Sequence, residues 1–209
     1  MPLAPEPQPP FPVAASRPEG IELGIVPRTA SPLASRPGVD PFLHGRLVHA
    51  LLQNLPDVPP GERAESARAY AARPGFGLPR AEARRVVDEA LGVLADPFLA
   101  PLFGPGSRAE QPLVGIVNGA VVSGVADRVA VLPGEVLVAD YKTDRDPPAR
   151  PEDTPALYLG QLASYQAVLA AAFPDRPVRC VLVWTRAGRA MPIPDALLAA
   201  HRPHARSDA

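Results

Sequence analysis

The apolar positions of this chain follow two periodicities, and the change between them comes near residue 109. Residues 43–55 (LHGRLVHALLQNL) space Leu47, Leu51 and Leu55 four apart, which lines them along one face of a helix. Residues 62–72 are a second helical stretch. Residues 80–95 are a third, with Ala83, Val86, Val87, Ala90, Leu91 and Leu94 as the apolar stripe. Pro97, Pro101 and Pro105 then end the helical pattern. Over 109–142 the pattern predicts strands. Pro112–Val117 leads into Asn118-Gly119, a strong hairpin signal. A second strand runs from about Ala120 to Leu132, turns at Pro133-Gly134, and returns as Glu135–Lys142. Val136, Leu137, Val138 and Ala139 form a nearly continuous apolar run, which predicts a strand covered on both faces. A polar, Pro-rich loop over 143–154 separates this strand from a helix over 155–172. A buried strand over 178–185 and a short helix over 195–201 follow. The pattern predicts an α/β fold: a central mixed sheet of four or five strands flanked by helices, with the 155–172 helix crossing over to the strand at 178–185.

The chain has 209 residues, room for one domain with a real core but not comfortably for two. Proline is abundant at 30 residues, and many lie in residues 1–40, where no periodicity is sustained. This stretch reads as an extended linker, disordered and joined to something upstream. The folded domain is expected over 41–203, with 204–209 as a disordered tail. No apolar run reaches the roughly 18–20 residues that cross a bilayer. The single cysteine, Cys180, excludes a disulfide framework and a cysteine-ligated zinc or iron–sulfur site. A reducing, cytoplasmic setting is the default. The formal net charge is −1, where an isolated nucleic-acid binder is usually basic. Any nucleic acid would therefore be delivered by a partner or by a larger parent chain.

Of the 21 basic residues, Lys142 is the only lysine. Lysine supplies a compact ammonium that arginine cannot replace. It stands in Asp140-Tyr141-Lys142, and Asp127 lies on the preceding strand. A turn centred between Pro133 and Gly134 pairs positions whose numbers sum to 267, and Asp127 with Asp140 meets that sum. A symmetric hairpin then sets the two carboxylates opposite each other on one face, with Lys142 two residues on pointing the same way. Opposed like charges are unfavourable on a sheet unless a cation lies between them. Oxygen ligands of this kind suit magnesium, or manganese, and such an ion supports phosphodiester hydrolysis. The D-x-K pattern is short, and on its own it reads better as surface charge at a strand end; the opposed Asp127 and the sole lysine turn the balance toward function.

The motifs occur in a fixed order: Gly45–His49 (G-x-x-x-H), Glu110 before a hairpin, Gly124–Asp127 (G-x-x-D), Asp140–Thr143 (D-Y-K-T) and Gln161–Tyr165 (Q-x-x-x-Y). Over about residues 40–190 this series resembles the C-terminal nuclease domain of the AddA/RecB family, within the PD-(D/E)XK class. The resemblance implies a restriction-endonuclease-like core and magnesium-dependent cleavage of DNA, as single strands, in double-strand-break repair. It implies a helicase portion of the parent chain and an AddB-like partner subunit, with no membrane. It also implies catalytic roles for Asp127, Asp140 and Lys142. Metal ligation would come from His49, Asp127, Asp140 and the carbonyl of Tyr141, and supporting or DNA contacts from Glu110, Gln161 and Tyr165. Gly45 inside a helix costs about 1 kcal/mol relative to alanine, which suggests that another backbone approaches it closely. His44 has no assigned role. No G-x-x-x-x-G-K-[ST] is present, so this chain has no P-loop ATPase. Two further alternatives stay open: a catalytically inactive DNA-binding or structural module, and a free-standing nuclease. An unrelated metal-dependent hydrolase is a third.

Overall fold

A computed structural model describes residues 12–14 and 42–204. Its elements in chain order are β1 (Pro12–Ala14), α1 (Leu43–Asn54), α2 (Arg63–Ala71), α3 (Arg80–Ala95), β2 (Ser107–Val117), β3 (Ala120–Val131), β4 (Val136–Lys142), α4 (Ala156–Ala172), β5 (Val178–Trp184), β6 (Arg189–Ile193) and α5 (Asp195–Ala199). The six strands form one mixed sheet. β3 pairs antiparallel with β2 and β4, β4 runs parallel to β5, and β6 closes one side antiparallel to β5.

The connections follow from local sequence. Asn118 and Gly119 both take positive φ, 48° and 78°, the geometry that matches a two-residue turn to twisted strands. Leu132 N–H donates to the Glu135 carbonyl at 2.9 Å across Pro133-Gly134 and fixes the second hairpin. The parallel β4–β5 pair needs a long crossover, and α4 supplies it.

The sheet separates two cores. On one face, Val129, Val136, Val138, Cys180, Leu182 and Trp184 pack with Leu159, Leu162, Tyr165 and Leu169 of α4 and Leu198 of α5. On the other, Ala130, Ala139, Tyr141, Val181 and Val183 pack with Leu47, Val48, Leu51 and Leu52 of α1 and Val86, Val87 and Ala90 of α3. The central strands are therefore covered on both faces, as their continuous apolar runs require.

Two strands go beyond the sequence expectation. β6 contains Pro192, which reads as a breaker, yet an edge strand tolerates proline because one side of it makes no ladder. Pro12–Ala14, inside the stretch read as a disordered linker, pairs in parallel with Val121–Ser123 of β3. The rest of that linker and tail reading (residues 1–11, 15–41 and 205–209) lies outside the described residues. Among the described residues no helix is long and apolar enough to cross a membrane.

Candidate metal centre

Three carboxylates occupy one row across three adjacent strands. The β2–β3 register pairs positions summing to 237, which sets Glu110 opposite Asp127. The β3–β4 register pairs Arg128 with Ala139 and Val129 with Val138, sums of 267, and continued by one rung it would set Asp127 opposite Asp140. The ladder itself is broken at this row. Neither Glu110–Asp127 nor Asp127–Asp140 is a paired position, and β3 pairs with β4 only from Arg128 onward.

The break turns both strands of the hairpin over. Ala126 and Leu113 face the α4 core, whereas Arg128 and Ser107 face α1. Regular alternation would keep 126 and 128 on one face. Glu110 takes φ 47°, a left-handed conformation that is uncommon for a residue with a side chain. That residue carries β2 through the switch in step with β3, so the register is the same on both sides.

The Asp127 carboxylate fills the gap between the parted strands. Its Oδ2 accepts the Tyr141 amide at 2.6 Å, and its Oδ1 lies 3.2 Å from Nδ1 of His49 on α1. Ligand atoms of His49, Glu110 and Asp127 all lie within 4.8 Å of one another, so one nitrogen and two carboxylates can hold a cation. Glu110 is exposed, and the other two are partly buried, so the set opens to solvent. Asp140 lies outside this set. It is buried, and its Oδ2 meets Lys142 Nζ at 2.6 Å. Tyr141 brings its amide to Asp127 and sets its buried ring edge-on to His49, with centroids 5.6 Å apart.

Lys142 is fixed from three sides. It donates to Gln161 Oε1 at 2.9 Å, and it lies 4.1 Å from the centre of the Tyr158 ring, a cation–π contact. Gln161 Nε2 donates to Tyr165 Oη at 3.0 Å, and Tyr165 donates to the Val125 carbonyl at 2.7 Å. The chain Asp140–Lys142–Gln161–Tyr165 thus ends on the backbone of β3, two residues before Asp127. Gln161 and Tyr165 are one turn apart on α4.

Burial pushes the Asp140 carboxyl up to about 6. The Lys142 ammonium opposes that rise, and the charge of Asp127 adds to it. Burial also raises Glu110, with Asp127 adding to it and His49 and Arg128 opposing. For His49, burial alone would lower the imidazole. The hydrogen bond and charge of Asp127, with the charge of Asp140, outweigh it and set the group above its usual value. The row thus holds excess negative charge that a divalent cation would relieve.

Two features escaped the sequence. The neighbour crowding Gly45 is the side chain of Thr143: a Cβ there would come 3.1 Å from Thr143 Oγ1. The expectation of a close backbone is corrected to a close side chain. His44 is buried between two carboxylates, with Nδ1 2.6 Å from Glu82 and Nε2 2.9 Å from Glu89. It joins the start of α1 to α3, and Glu89 also accepts from Thr185 at the end of β5. Glu82 and Glu89 are two turns apart on α3, a spacing that signals one shared polar face.

Comparison with known proteins adds to this geometry. No curated protein matches the chain. Among solved structures, the crystal structure of SSO0001 is similar at 17% identity, covering 77% of this chain and 80% of that one, with a TM-score of 0.32. That likeness is too distant to align site residues. The family model for the PD-(D/E)XK nuclease superfamily matches residues 22–198, which include the whole carboxylate row and the lysine beside it. A match across that much of the sequence shows that the chain belongs to the PD-(D/E)XK nuclease superfamily.

Proposed function

We propose that this chain is a divalent-metal-dependent deoxyribonuclease that hydrolyses phosphodiester bonds in single-stranded DNA. The observation that carries the reading is the row Glu110–Asp127–Asp140, flanked by His49 on one side and Lys142 on the other. His49, Glu110 and Asp127 would hold the cation, with Asp140 and the Tyr141 carbonyl completing its shell. Magnesium is the proposed ion. Manganese is also suited, because it accepts an imidazole nitrogen beside oxygen ligands. A bound divalent ion acidifies a water and neutralises charge on the phosphate. Lys142 offers the same phosphate a fixed ammonium, and Gln161 and Tyr165 keep it from swinging away.

The finer assignment is to an AddA/RecB-type helicase–nuclease that processes DNA ends in double-strand-break repair. The motif order from Gly45 to Tyr165 supports it. The net charge of −1 supports delivery of the strand by a helicase portion and an AddB-like subunit. The nuclease domain would span 41–203, after a leader of which Pro12–Ala14 joins the sheet, and before the tail 204–209. A cytoplasmic setting belongs to the same proposal and is supported by the single buried thiol of Cys180.

The test is cleavage of end-labelled single-stranded DNA by the purified chain, with magnesium or manganese and with a chelator. Cleavage should need the metal and vanish in Asp140→Ala. Cleavage that survives chelation, or that Asp140→Ala retains, would overturn the reading.

A further inference from the structure

Arg128 is a buried cation, 4% exposed, that no sequence motif required. Among the described residues no carboxylate forms an ion pair with it. Its Nη2 donates to the carbonyls of Leu52 at 2.9 Å and Gln53 at 3.3 Å, and its Nη1 to Ser107 Oγ at 2.9 Å. The guanidinium also lies 5.1 Å from the centre of the Phe103 ring.

Leu52 and Gln53 belong to the last turn of α1. That turn contains no basic residue of its own, so its free carbonyls and the negative end of its dipole lack a local cation. Arg128 supplies one from β3. A buried guanidinium without an ion pair is costly, even though its charge also acts on Glu110 and Tyr141. The contact therefore calls for a reason beyond packing. Arg128 follows Asp127 directly and forms the last β3–β4 rung before the strands part. Gln53 lies one helical turn from His49, so the two share a face of α1. The guanidinium thus ties the strand that carries Asp127 to the helix that carries His49, within one residue of the first and one turn of the second.

We propose that Arg128 is a positioning residue. It fixes the depth and rotation of α1 so that His49 Nδ1 meets Asp127 and Glu110 at ligand distance. Lysine cannot substitute, because one ammonium does not span the two carbonyls and the Ser107 hydroxyl with the geometry of a planar fork. This inference rests on reading the carboxylate row as a metal site.

The test compares Mn2+ binding, measured by electron paramagnetic resonance of the free ion, with thermal melting in metal-free buffer. The variants are Arg128→Lys, Ser107→Ala and Leu198→Ala, the last a destabilising change in the α4–α5 core. All are read at a temperature where each is folded. Arg128→Lys should weaken Mn2+ binding by about 10- to 100-fold, the range typical of lost outer contacts to metal ligands. Ser107→Ala should weaken it several-fold, and it carries the test if Arg128→Lys does not fold. Leu198→Ala should lower the melting temperature and keep the parent affinity. Parent-like affinity in the variant that carries the test would overturn the inference and leave the metal site standing. A matching loss in Leu198→Ala would overturn it too, because affinity would then follow stability alone. A parent chain that binds no Mn2+ would overturn the metal site and this inference together.

Discussion

Asp127 and Asp140 lie just past the last β3–β4 rung, Arg128–Ala139, and they occupy contrasting surroundings. Asp127 fills a break between strands, accepts a backbone amide and shares an open space with His49 and Glu110. Asp140 is buried, and an ammonium held by Gln161 and Tyr158 already meets its charge. The same side chain in the same row thus performs two tasks. One half of the row leaves charge available for a cation from solvent. The other brings its own cation and holds it in place. A nuclease site needs both, a binding place for metal and a fixed charge near the phosphate.

The largest expected effect lies in the buried half. Lys142→Ala should lower single-strand cleavage by about 10²- to 10³-fold, the scale of losing one fixed charge-stabilising donor. Mn2+ affinity should not fall and should rise if anything, because His49, Glu110 and Asp127 are untouched and a positive charge beside Asp140 is gone. Steady-state cleavage and direct metal titration on the same sample check both. Asp127→Asn should do the reverse. Its Mn2+ affinity should fall about tenfold or more, and excess metal should recover part of the rate. If both variants lost metal affinity equally, the division between the halves would be wrong.

The pH dependence sharpens the contrast. His49 must be neutral to ligate, and its proton is held more tightly than usual by Asp127 and Asp140. Metal affinity should therefore rise with pH through the neutral range, by up to about tenfold per unit, and flatten once the imidazole is deprotonated. Calorimetric proton release at two buffer ionisation enthalpies checks this.

A smaller effect concerns stability without metal. Asp140 is raised to about 6, so the folded chain binds this proton more tightly than the unfolded chain. The contribution of Asp140 to stability should be fully present below the ordinary carboxylate range and should be lost as pH rises through about 6. The raised His49 acts in the same direction at higher pH, since its contribution is present below 6.5 and lost as pH rises through its folded value. Comparing Asp140→Asn with the parent in denaturant melts isolates the first effect, and the variant should lack the slope between pH 4 and 6.

The row was legible in the sequence to an unequal degree. The Pro-Gly turn fixed the sum of 267 for the β3–β4 pairs by arithmetic alone, but the ladder stops at Arg128–Ala139, one rung short of the expected Asp127–Asp140 pair. The change of face at Glu110 could not be read. A left-handed residue is usually announced by glycine or asparagine, and here a glutamate takes that conformation. Without that turn in the backbone, Glu110 looks like one more exposed charge and not a neighbour of His49. His44 was hidden for a related reason. Its partners lie 38 and 45 residues away on another helix, and only the packing of α1 on α3 brings them together. Gln161 and Tyr165 were visible as a helical pair. The link they make between Lys142 and the Val125 carbonyl depends on how α4 crosses the sheet, which periodicity does not encode.

The most direct test of the account is a crystal structure of the chain loaded with Mn2+, with the ion located by its anomalous scattering. The account expects one strong peak among His49 Nδ1, Glu110 and Asp127, on the side of the row that Asp140 and Lys142 flank. A peak elsewhere, or none at saturating Mn2+, would contradict it.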